Sequence, residues 1–114
     1  MISNVMDVNS NYKIAKLNDK NYQFWKYNIT NILKQHNCYK YIDGSSRTAP
    51  IDEQELAKWT SARYKALSII STSIEQNQLV YIWHTEDPEE AWNALKKHHL
   101  ASTIQNKLYY QQNL

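Results

Sequence analysis

The residues that could carry chemistry are few, and their spacing works against them. His36 and Cys38 stand two apart, and His98 and His99 are adjacent. A structural zinc site takes four ligands, usually paired as C-x-x-C or H-x3-5-H. Neither pair has that spacing, and residues one or two apart on a helix do not face each other. The same geometry separates Cys38 from His36 as a nucleophile and its base. The acidic pairs Asp52/Glu53 and Glu89/Glu90 each open a helical stretch, where the positive end of the dipole accounts for them. One glycine, Gly44, cannot build a phosphate-cradling loop or a G-x-S-x-G turn. The expectation is a non-enzyme with no cofactor and no metal. His36 and His99 then belong at the edge of a core, and His84 and His98 outside it.

The elements that must position these groups read as helices. Tyr22, Trp25, Ile29, Ile32, Leu33 and His36 recur at helical spacing, so one side of a helix over residues 18–37 is apolar and must be buried. Asn18 is the expected N-cap, with Leu17 and Tyr22 as a hydrophobic staple. A last irregular turn over Cys38–Ile42 ends at Asp43-Gly44-Ser45-Ser46. A second helix is predicted from Asp52 to about Ser73. Asp52 and Glu55 form its capping box, Ile51 and Leu56 its staple, and Leu56, Trp59, Ala62, Ala66, Ile69, Ile70 and Ser73 its inner face. A short third helix covers Gln76–Trp83. A fourth opens at Asp87-Pro88-Glu89-Glu90, where Asp caps and Pro takes the first helical position, and ends near His98–Leu100. A fifth opens at Ser102 and is still running at Leu114.

This is an all-α pattern, a compact bundle of about five helices. Scarce glycine and proline (Gly44, Pro50, Pro88) argue against a turn-rich β domain. The predicted core is Tyr22, Trp25, Ile29, Leu33, Trp59, Trp83, Trp92 and Leu95, built around the four indoles. Residues 1–13, polar and Asn-rich, read as a flexible lead, and residues 14–114 as one helical domain. A chain of 114 residues suffices for one core without a staple. The single cysteine excludes an internal disulfide and fits a reducing, cytoplasmic setting. No apolar run is long enough to span a membrane.

Charge is unevenly spread. Residues 13–40 hold Lys13, Lys16, Lys20, Lys26, Lys34 and Lys40 against Asp19 alone, whereas residues 52–90 hold eight acids against Lys58, Arg63 and Lys65. Ordinary solvated faces explain this; so does a polarised body suited to head-to-tail packing of identical copies. Lys20, Lys26, Lys34 and Lys40, interleaved with Phe24 and Tyr27, make a face that could hold single-stranded RNA weakly and without sequence preference. Arginine, the better partner of phosphates and base edges, is nearly absent. Nine Tyr and four Trp against one Phe suit interfaces. Phe24 and Tyr27 fall off the core stripe. Ile104, Leu108, Tyr109 and Tyr110 lie along the fifth helix. These six are the candidate self-association residues.

The ordered set Asn21-Tyr22, Trp25, Ile29, Leu33, Ile42-Asp43-Gly44, Trp59, Ala66-Leu67-Ser68-Ile69-Ile70 and Asp87-Pro88-Glu89-Glu90-Ala91-Trp92-Asn93-Ala94-Leu95 resembles the Gag protein of copia-type LTR retrotransposons. The similarity spans roughly residues 14–112. It implies a capsid N-terminal domain that packs with copies of itself into a virus-like particle around element RNA. Such a protein takes neither a small-molecule substrate nor a membrane as partner. Residues 102–114 would then lead into a second helical domain. A domesticated Gag acting as a helical protein-interaction adaptor, or a small RNA-binding module, would share these features.

Overall fold

The computed structural model describes residues 5–8 and 12–112, with side chains from 13 to 108. The chain begins with a hairpin of β1 (Val5–Val8) and β2 (Tyr12–Ala15), antiparallel with Val5 opposite Ala15 and Val8 opposite Tyr12. The segment expected to be flexible, residues 1–13, lies in part outside the described residues, and Val5–Val8 within it is a strand. The rest is helical. The five expected helices resolve into four, three α-helices and one 3-10 segment, with the expected irregular turn after the first becoming a 3-10 turn: α1 (Tyr22–Gln35), the 3-10 turn (Tyr39–Tyr41), α2 (Glu53–Thr72), the 3-10 segment (Gln76–Tyr81) and α3 (Pro88–Gln112).

α1 starts four residues later than expected. The Asn18 side chain accepts from the Lys20 N–H at 2.8 Å, and the Asn18 N–H donates to Asn21 Oδ1 at 2.8 Å. Asn18 therefore closes a local turn, of the kind that competes with a helix, and Asn21 becomes the residue before the first turn. Leu17 is fully buried and held extended beside Ile74, with its N–H on the Ser73 carbonyl and its own carbonyl accepting from Glu75. At the other end Asn37 turns left-handed, φ 58°. The Cys38 N–H reaches back to the Leu33 carbonyl at 2.8 Å and the Asn37 N–H to Lys34 at 3.1 Å. This pair of bonds closes the helix C-terminus and satisfies the Leu33 and Lys34 carbonyls.

α2 is capped as its sequence requires, with Asp52 Oδ2 accepting from the Glu55 N–H at 3.0 Å. The expected staple does not form: Ile51 projects wholly into solvent and Leu56 is exposed. The fully buried residues of α2, Ala66, Ile69 and Ile70, lie in its second half, while Trp59 and Ala62 of the first half pack against the edge of the core. The fourth and fifth expected helices are one. Ser102 does not cap, and Thr103 Oγ1 bonds back to the His99 carbonyl at 2.9 Å inside a continuous helix. No Gly or Pro follows Pro88, so nothing interrupts the backbone ladder. Its start does behave as expected, with Asp87 Oδ1 accepting from the Glu89 N–H at 3.0 Å and Pro88 next in line.

Trp25, Ile29, Ile32 and Leu33 from α1 meet Ile70 from α2 and Ala91, Trp92 and Leu95 from α3 in one core. Trp25 and Trp92 stack with ring centres 5.5 Å apart. Tyr22 and Trp59 are half-buried against this core. Trp83, predicted to belong to it, does not: the residue is 74% exposed. The 3-10 segment ends at Tyr81, and Trp83 lies in the turn after it, its N–H on the Leu79 carbonyl at 2.9 Å. Leu79 and Ile82 pack on the core, and Val80 and Trp83 face outward.

Candidate functional site

The face of α1 opposite the core is the richest outer surface. Trp25, Ile29, Ile32 and Leu33 define the inner side. Tyr27 lies half a turn away from them, at 70% exposure, and Phe24 beside it at 78%. An open groove of about 400 Å³ runs past Gln23, Lys26, Tyr27, Thr30, Asn31 and Lys34. Lys34 also borders a second depression with Asn37, Tyr39 and Lys40. Its ammonium sits 5.0 Å from the centre of the Tyr39 ring, and that of Lys40 sits 5.4 Å from Tyr41. Lys20 lies around the helix start, in a groove with Phe24, His99 and Ser102. The four candidate RNA-facing lysines thus border three depressions, with Lys34 shared between two of them. Among the described residues, none of them has an ion-pair partner.

A second outer surface follows the distal half of α3. Leu100, Ile104 and Leu108, four residues apart, form an exposed stripe on a helix with no core beneath it. Leu100 was not among the expected interface residues, although its spacing from Ile104 could have found it. The side chains of Tyr109 and Tyr110 lie outside the described residues.

The groups first considered for chemistry have structural surroundings. Cys38 is fully buried, its thiol donating to the His36 carbonyl at 3.4 Å and facing the Ala62 carbonyl at 3.7 Å. Burial pushes its pKa up, away from a reactive thiolate. His99 is buried and lies flat on Tyr22, ring centres 4.8 Å apart. Its Nε2 bonds Gln78 Oε1 at 2.9 Å, and the Gln78 amide donates to Asp19 Oδ1 at 2.9 Å. The amide must present its oxygen to His99, so Nε2 carries the proton. Burial lowers the His99 pKa; the neighbouring His98 lowers it further, and Asp19 opposes both. Burial also pushes the Tyr22 phenol up to about 12. Among the described residues, no cluster of three metal-ligating side chains occurs. No helix there is long and apolar enough to cross a membrane.

One cluster escaped sequence reasoning. Arg47 clamps Glu89 through Nε at 2.9 and 3.0 Å and through Nη2 at 2.6 Å. Arg63 pairs with Asp87 at 3.2 Å while lying 4.4 Å from the centre of Trp59. Trp59 in turn donates its indole N–H to the Ser46 carbonyl at 3.1 Å. Together these bonds hold the loop after α1, the middle of α2 and the start of α3. Arg47 and Arg63 are the two arginines of the sequence, and that scarcity was the available signal.

The arrangement is a helical body with an apolar core and large apolar side chains left on its surface, Phe24 and Tyr27 on α1 and Leu100, Ile104 and Leu108 on α3 among them. The family model for the gag-polypeptide of LTR copia-type elements matches residues 29–114. The chain belongs to the copia-type Gag family. The matched stretch takes in the second half of α1 and everything after it, including the α3 stripe and the double arginine clamp; Phe24 and Tyr27 lie before it. Comparison with curated proteins and with solved structures finds no match.

Proposed function

We propose that this Gag domain is a structural unit of a protein shell, packing against copies of itself to enclose the RNA of its element within the cytoplasm. Its work is scaffolding, not catalysis. The observation that carries this reading is the placement of Phe24 and Tyr27, two large rings held on the outside of a well-anchored helix directly opposite the core. Leaving such rings in water forgoes their burial, worth roughly 1.5–3 kcal/mol for a large apolar side chain. A partner surface recovers it. The stripe of Leu100, Ile104 and Leu108 adds a second face of the same character. A second reading, a module that holds single-stranded RNA, is favoured by the lysines from Lys20 to Lys40, none of which has an ion-pair partner among the described residues.

Sedimentation velocity over a wide range of protein concentration tests the first reading. The expected result is a mass that grows with concentration beyond a dimer, and particles visible by negative-stain microscopy at the upper end. A chain that stays monomeric throughout overturns it. Fluorescence anisotropy with a labelled single-stranded RNA tests the second, which requires affinity that falls steeply with salt.

A further inference from the structure

The outer groove of α1 has a counterpart on the same molecule. Ile51 stands immediately before the cap of α2 and is completely exposed, at 101% of its reference area. Asp52, Glu53 and Glu55 follow it within the first turn, all on the surface, with Leu56 next. Glu55 pairs with Lys58 at 3.5 Å, and among the described residues Glu53 has no ion-pair partner. An apolar knob followed by three acidic residues is therefore presented at a capped helix end. The α1 groove offers the inverse: Tyr27 and Thr30 line it together with Lys26 and Lys34. The two surfaces share no residue and lie on different elements.

We propose that the start of α2 in one copy of this chain docks into the α1 groove of the next. Ile51 enters beside Tyr27, and Glu53 and Glu55 meet Lys26 and Lys34. This deepens the shell reading and rests on it, since it names the two surfaces that join. The contact is head-to-tail: each copy offers one knob and one groove. Such a contact makes rings or open strings, not closed pairs. The charge match fixes which surface meets which, because like charges facing each other are strongly disfavoured. The same match selects protein over RNA as the occupant, for it explains the acidic knob as well as the basic groove.

The test is charge reversal on the full chain, followed by sedimentation velocity. One variant carries Lys26→Glu and Lys34→Glu; another carries Glu53→Lys and Glu55→Lys. Each alone is expected to raise the concentration needed for association about tenfold or more. Mixing the two in equal amounts, or combining all four changes in one chain, is expected to restore it. Ile51→Ser gives an uncharged check and is expected to weaken association without altering the melt. If the wild type associates and neither the reversals nor Ile51→Ser change that, the interface is wrong while the shell reading stands. A wild type that never associates overturns both. If the lysine reversal removes single-stranded RNA binding and leaves association intact, the groove is an RNA surface and the proposal falls.

Discussion

The indole N–H of Trp25 and the backbone N–H of Leu17 both donate to one acceptor, the carbonyl of Ser73, each at 2.9 Å. That carbonyl ends α2, so the strand-like lead-in, α1 and α2 meet at a single oxygen with both lone pairs in use. The Trp25 N–H also lies 3.1 Å from Ser73 Oγ, whose own proton goes to Ile70. The ring meanwhile stacks on Trp92. Trp25 thus contributes both packing and a buried hydrogen bond, and the two can be separated. Trp25→Phe keeps most of the ring and loses the donor, for an expected cost of about 1–2 kcal/mol. Trp25→Ala and Trp92→Ala each empty the centre of the core and are expected to cost about 3–5 kcal/mol. Urea denaturation followed by circular dichroism ranks them. Equal losses for Trp25→Phe and Trp25→Ala would show that the hydrogen bond, not the packing, holds the junction.

Trp83 is the contrast. It faces water beside Val80, so Trp83→Ser is expected to shift stability by no more than about 0.5 kcal/mol. The wild-type emission should accordingly contain one indole readily quenched by acrylamide, and Trp83→Ser should remove that component alone. A loss comparable to Trp92→Ala would place Trp83 back in the core.

The contrast between Trp25 and Trp83 shows which parts of the fold were legible. Trp25 sits in a long stripe repeated over four turns, and a period sustained that far identifies both helix and inner face. Asp52 and Asp87 announced the starts of α2 and α3, because a cap is a local contact between near neighbours. Trp83 lies in the turn just past a six-residue 3-10 segment, where no sustained period assigns it a side. The continuity of α3 was obscured for a related reason: Ser102 and Gln105 have the types of a capping box, but an interior Ser bonds its own turn equally well. The clamp of Arg47 on Glu89 joins residues 42 apart, which no local pattern encodes. At the candidate site, Phe24 and Tyr27 could be read as outward from the stripe itself. The knob at Ile51 could not, since a residue before a cap is as readily stapled as exposed.

Asn37 gives a backbone test. It closes α1 in the left-handed region, φ 58°, where a Cβ is disfavoured and only Gly, Asn and Asp are at ease. Asn37→Gly is expected to be neutral or to stabilise by a few tenths of a kcal/mol, whereas Asn37→Ala should cost about 1 kcal/mol. Urea midpoints of the two variants check the order. Reversal of that order would mean that the Asn side chain, not the backbone angle, maintains the turn into Cys38.

The Asp19–Gln78–His99 chain gives a pH dependence with a definite sign. His99 is held below its ordinary value of 6.5, first by burial and then by His98, with Asp19 acting the other way. The Tyr22 ring across its face stays neutral throughout this range, since its phenol titrates near 12. Above about pH 6.5 the histidine is neutral both folded and unfolded, and its contribution to stability is fully present. As pH falls below that value the unfolded chain takes up the proton first, so stability declines until the folded-state pKa is passed. Asp43, lowered by its bonds to Ser45, loses its contribution only in the more acidic carboxylate range, below the window from pH 6.5 to 5 in which His99 acts. The expected result is a urea midpoint that drops from pH 7 to pH 5. In His99→Gln, which has no proton to take up at that position, the drop should be smaller. A wild-type midpoint that is level or rises across this interval would show that His99 keeps its charge inside the fold, held there by Asp19 through Gln78.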